Sequence, residues 1–209
     1  MPKQVDHQVR RRLIAEALWR VTVRQGLEEV SLRHVATEAG VSMGLVQHYF
    51  AGKDEMLLFA LDTLNQHVSQ RVAARVAALP DPDAPRSLVR AVLLEMLPLD
   101  QERRDDAVVG FAFLVQAAMR PAIATTLQAS FAQLQDFVSA EIRRAREAGE
   151  IRAGLDLERE TLTLLALLDG LTVQVLAGQG SPETALAVLD YHLDHLFSTA
   201  STRNHVSPH

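Results

Sequence analysis

Residues 31–53 read SLRHVATEAGVSMGLVQHYFAGK, and their pattern decides the fold. Leu32, Val35 and Ala36 fall at i, i+3 and i+4, one apolar face of a short helix. Ser31 precedes it as an N-cap, its hydroxyl placed to accept an early backbone N–H. Ala39 is small enough for a neighbouring helix to approach, and Gly40 tolerates the left-handed conformation that ends a helix. Val41 is a buried-type residue inside the turn, and Ser42 is a second N-cap. Leu45, Val46 and Phe50 then face inward. Met43, Gly44, Gln47, His48 and Tyr49 are left for the outer face. Gly52 breaks the chain before Lys53, Asp54 and Glu55 open a longer helix. Two helices joined by a short Gly-containing turn are the device that lays the second helix in the DNA major groove.

Upstream, Ile14, Leu18 and Val21 give the apolar stripe of a preceding helix that stops at Gly26, and residues 1–6 read as a mobile arm. Arg10, Arg11 and Arg12 sit at the start of that helix, where basic side chains oppose the macrodipole. The misfit points to phosphate contacts, with a solvated face as the plainer reading. Trp19 serves either the core or the junction of this head with the body.

The run AxEAGVSxGLVQHYFxGKDEML closely resembles the N-terminal domain of the TetR family of bacterial transcriptional regulators. The matching residues are Ile14, Ala17, Leu18, Gly26, Ser31, Val35, Ala36, Ala39, Gly40, Val41, Ser42, Gly44, Tyr49, Phe50, Lys53 and Leu57. Many family members carry Tyr, a phosphate contact, where this chain has Gln47. The form from Gly44 to Phe50 looks more like the branch that includes the choline-responsive betaine regulators. The resemblance implies a ligand-gated repressor. A small-molecule effector in the body would tilt the helix that starts at Lys53 and change the separation of two recognition helices. DNA contacts are then expected from Arg33, Ser42, Met43, Gly44, Gln47, His48, Tyr49 and Lys53. Arg33, Tyr49 and Lys53 would hold phosphates, and Met43, Gln47 and His48 would face base edges.

Charge agrees with a DNA-reading head. The whole chain carries −5, but residues 1–53 hold eight Lys and Arg against five Asp and Glu, a net +3, leaving −8 for the remainder. Attraction at one end and repulsion elsewhere orient a protein on DNA. Apolar residues make up 48% of the chain and aromatics 5%, a mixture that favours helices. No alternating strand pattern is found. The chain has no cysteine, which excludes disulfides and thiolate chemistry and fits a cytoplasmic protein.

The expected architecture is all-α with about nine helices. A three-helix head (residues 1–53) precedes a ligand-binding and dimerisation body (54–209), joined by a long helix over 53–79. Pro80, Pro82 and Pro85 end that helix. Further helices are expected over 86–97, 108–119, from Pro121 to Ala148 with Gly149 as cap, 157–177 and 182–197; the polar run 100–106 reads as a turn or helix start. The helix over 157–177 is apolar on nearly every side. Asp169, Thr172 and Gln174 argue against a membrane span, so it is expected to pack inside its subunit and against a second copy. With the last helix it would form half of a four-helix interface in a two-fold dimer, through Leu168, Leu171, Leu186, Leu189, Leu193 and Leu196. A two-fold dimer reads a palindromic operator.

No HExxH, CxxC, Gly-rich phosphate loop or GxSxG elbow is present, and no catalytic residue, metal or cofactor is expected. His192 and His195 lie near Asp190 and Asp194, yet such a stripe reads first as the polar edge of a helix. Asn65, Phe111, Phe113, Gln116, Met119 and Gln174 are candidates to line an apolar effector cavity. The alternatives are a helical small-molecule binder, or a helical enzyme, without operator-specific DNA binding. Mobility shift and turnover assays would separate them.

Overall fold

The computed structural model describes residues 2–198 apart from Ala153, with side chains from His7 onward. Those residues form nine helices and no strand: α1 (Pro2–Gln25), α2 (Leu32–Ala39), α3 (Met43–Tyr49), α4 (Lys53–Ala77), α5 (Pro85–Met96), α6 (Gln101–Ala117), α7 (Pro121–Glu147), α8 (Leu157–Leu176) and α9 (Pro182–Leu196). The all-α expectation holds, and the starts of most helices fall where capping chemistry puts them. Asp156 and Ser181 cap α8 and α9 with side-chain oxygens, and Pro85, Pro121 and Pro182 open α5, α7 and α9.

Two boundaries differ from expectation. The arm expected over residues 1–6 is helical from Pro2, so α1 is a 24-residue helix; Met1 lies outside the described residues. The run 100–106 takes the second of its two expected readings, a helix start, and so moves the helix expected from 108: Asp100 accepts the Arg103 backbone N–H and caps α6 seven residues before Val108. The other ends shift by a residue or two.

Two apolar clusters organise the chain. One joins α1–α4 and reaches into the body through Val109 and Phe113 of α6 and Ile123 of α7. The other packs α5, α7, α8 and α9 around Leu93, Leu97, Ile142, Leu164 and Leu168. The apolar core of the head therefore extends past residue 53 and takes in the C-terminal half of α6. A charged lock ties α4 to the body beside it. Glu95, 95% withdrawn from solvent, receives Arg71 at 3.0 Å and also Arg75; Arg71 reaches Asp106 at 2.5 Å. The Glu95 carboxyl is lowered below its ordinary range; burial opposes this, and the hydrogen bonds from Arg75 and Arg71 outweigh it.

The leucines expected at a dimer interface are turned into their own subunit. Leu168, Leu171, Leu189, Leu193 and Leu196 are buried in their own subunit, and Leu186 packs against the same cluster. The apolar side chains that α8 and α9 leave in solvent are Leu162, Val173, Val188 and Tyr191, with Ala166, Gly170 and Ala187 between them. Both faces of α8 are apolar, so the hydrophobic pattern alone does not say which face its own subunit takes.

Candidate nucleic-acid interface

The head builds its reading surface from local hydrogen bonds. Ser31 Oγ accepts the His34 N–H at 3.2 Å and fixes the start of α2. Gly40 closes α2 at φ 66°, and the Val41 N–H returns to the Ala36 carbonyl at 3.0 Å. A side chain at that φ is strained whatever the space around it. Ser42 Oγ then accepts the Leu45 N–H at 3.1 Å and starts α3. Val46 and Phe50 plunge into the core. The geometry leaves Ser42, Met43, Gly44, Gln47 and His48 together on the exposed side of α3, with Met43 45% in solvent. A Cβ on Gly44 would meet only Ser42 Oγ, at 3.9 Å, so internal packing does not demand glycine there.

The surrounding charges are held in place. Tyr49 is half-buried, its ring edge-on to His7 at 4.7 Å and to His48 at 5.2 Å. Arg33 is exposed on α2. Lys53 opens α4 half-buried, its Nζ 3.4 Å from the Glu28 carbonyl; burial, and then the nearby Arg120, push its pKa down. Glu38 receives Arg20 at 2.7 Å and Arg24 at 2.5 Å, bracing α2 against α1. Its carboxyl sits below the ordinary value, first because of the Arg20 hydrogen bond. Trp19 joins α1 to α4: its indole N–H donates to the Ala60 carbonyl at 3.2 Å, and its ring stacks on His67 at 6.0 Å.

Sequence reasoning misplaced or passed over two side chains behind this surface. Arg11 is turned inward among Phe50, Phe59 and Glu55 and away from the outer face of the basic cluster. Arg120, at the start of α7, pairs with Asp54 in the first turn of α4 and donates to Gln116 Oε1 at 3.0 Å. The cue for Arg11 was its place three residues before the buried Ile14, on a helix face adjoining the core. Arg120 carried no local cue.

The six candidate effector residues do not converge. Phe113 is fully buried in the head cluster, and Met119 is 83% exposed after the last turn of α6. Gln174 is exposed on α8, Gln116 is engaged by Arg120, and Phe111 is half-buried. Asn65 donates to Ser130 Oγ at 3.0 Å, tying α4 to α7. Clefts of about 390 and 270 Å³ lie elsewhere, the first beside Arg75, Glu95 and Arg103 and the second beside Arg12, Trp19 and His67. The six residues were chosen as polar groups or large apolar side chains on apolar helices, and helix rotation scatters them. The acids near His192 and His195 are occupied: Arg90 grips Asp190 at 2.5 and 2.9 Å, and Arg86 pairs with Asp194. No helix among the described residues is long and apolar enough to cross a membrane.

Known proteins match this arrangement along the chain. Residues 14–59 match the family of bacterial regulatory proteins of the tetR type, and residues 85–198 match the C-terminal domain of BetI-type transcriptional repressors. The HTH-type transcriptional regulator PksA of Bacillus subtilis is 35% identical over 84% of this chain and 83% of its own. The crystal structure of a transcriptional regulator from Rhodococcus sp. Rha1 is 32% identical, covers 89% of this chain and 95% of its own, and superposes with a TM-score of 0.77. A putative transcriptional regulator from Saccharomonospora viridis, solved in complex with choline, is 25% identical over 90% of this chain and 97% of its own, with a TM-score of 0.82. With an exposed recognition helix on a braced three-helix head and a BetI-type body behind it, the chain belongs to the TetR family and is a ligand-responsive, DNA-binding transcriptional regulator, not an enzyme.

Proposed function

We propose that a homodimer of this chain represses transcription in the cytoplasm by holding a palindromic operator, and lets go when a small molecule enters the body. The observation that carries this reading is the outer side of α3. Five adjacent positions stay in solvent while Val46 and Phe50 anchor the helix from behind. Gln47, with His48 and Met43, faces base edges; a Gln amide pairs bidentately with adenine in the major groove. Arg33, Ser42, Tyr49 and Lys53 take phosphates, which set register without reading sequence. Gly44 leaves room for the DNA backbone to come close.

These roles separate in a mobility-shift assay on the DNA upstream of the gene. Lys53→Ala is expected to weaken binding to every duplex and reduce the salt slope by about one. Gln47→Ala is expected to change which bases are preferred while keeping that slope. If operator binding survives both changes intact, α3 does not read the DNA.

The second copy packs on the outward faces of α8 and α9. The effector is held within the body, and the half-buried Asn65 and Phe111 are the candidates left to touch it. Choline, found in the Saccharomonospora relative, is the first compound to test. Coupling runs from Gln116 through Arg120 to Asp54, because that chain of contacts joins the end of α6 to the first turn of α4. Arg120→Ala is expected to leave operator affinity within about threefold and to raise the effector concentration for release by about fivefold or more, the lower end of ordinary allosteric coupling. Release at an unchanged concentration, measured by fluorescence anisotropy, would remove Arg120 from the path.

A further inference from the structure

We propose that Arg11 is a positioning residue for operator recognition: it clamps the corner between α3 and α4 and thereby sets the angle at which the recognition helix meets DNA. The inference rests on the reading of α3 as the DNA reader. Arg11 stands on α1, yet its guanidinium lies over two rings that flank the corner, 4.7 Å from the Phe50 centroid and 4.3 Å from that of Phe59. The rings themselves meet at 5.5 Å. Phe50 is the residue that ends α3, and Phe59 lies on α4. Arg11 Nη2 also donates to Glu55 Oε1 at 3.1 Å, and the other oxygen of that carboxylate accepts the Ala51 N–H at 2.7 Å. One cation therefore holds the last residue of α3, the link after it and the first turns of α4 against α1.

Stability alone is a poor reason for an arginine here. Its Nε is buried with no acceptor among the described residues, and an unmet buried donor is costly. A planar cation earns its place by geometry, because a guanidinium stacks flat on aromatic faces while a second edge donates to a carboxylate. Lysine carries the same charge and lacks that plane. It would still hold a phosphate as a point charge and would serve badly for this clamp.

That difference is the test. A duplex is selected by the full-length wild-type protein from a random-sequence pool, and a scrambled duplex of equal length serves as the nonspecific probe. Arg11→Lys and Arg11→Gln are each expected to lose about tenfold in affinity for the selected duplex. Arg11→Lys should keep its affinity for the scrambled duplex and its salt slope. Glu55→Gln, the milder variant if either Arg11 variant melts early, should lose about threefold on the selected duplex alone. Wild-type affinity in Arg11→Lys, or an equal loss on both duplexes, would overturn the proposal by making Arg11 a plain charge. So would an unchanged selected-duplex affinity in Glu55→Gln when the Arg11 variants do not fold. A wild-type protein that enriches no sequence would instead sink the assignment of α3, and is seen before any variant is made.

Discussion

Val173→Arg is expected to convert the protein to a monomer and to cut operator affinity at least about 100-fold, the bivalency that linked half-sites supply. Val173 is 45% exposed in the single chain, on the same side of α8 as Leu162, Ala166 and Gly170; Val188 and Tyr191 continue the surface on α9. Clustered apolar side chains of this size mark an association surface. A two-fold interface uses the same patch of both subunits, so the substitution would set two arginines in a desolvated interface. Asp169 lies on the same side of α8, and burial raises its pKa. It is the one acid on that stretch of α8, and one carboxylate does not neutralise an added arginine at no cost. Position 173 points away from the subunit's own core, so helix content and monomer melting should barely change. Sedimentation velocity and a mobility shift on the selected duplex check both halves. A variant that remains dimeric with normal affinity would move the interface off α8.

Phe113→Ala should cost about 3–5 kcal/mol in urea unfolding, the usual loss when a fully buried aromatic becomes a cavity. Met119→Ala, six residues on, should cost almost nothing, because that side chain is 83% exposed. Sequence reasoning grouped the two as effector contacts. Phe113 instead completes the cluster of Ile14, Phe50 and Met56, so its loss should also weaken operator binding by loosening the head. A cost under about 1 kcal/mol would mean that Phe113 borders open space and restore it as a candidate ligand contact.

The same contrast shows where legibility ends. Ser31, Gly40 and Ser42 act on neighbours within five residues, and a capping oxygen or a positive φ is written locally. Their positions alone were enough to place α2, the turn and α3. The exposed side of α3 followed, since a seven-residue helix anchored by Val46 and by Phe50 just past its end has one remaining face. Which side of α8 a second copy would cover was not legible, for a different reason. A helix that is apolar on two sides carries no mark of which side its own subunit takes, and α8 is such a helix. Leu168 and Val173 have equal claims on hydropathy; packing against α7 and α9 separates them.

Arg11 and Arg120 make the division plain. Short-range chemistry, acting between residues a turn or less apart, set the helices, their caps and the exposed side of α3, and composition alone gave the charge asymmetry of head and body. Contacts across 44 and 66 positions turned one member of a basic run into a clamp and a helix-start arginine into a strut. Periodicity orients a side chain about its own axis; only the packed neighbours decide what lies opposite it.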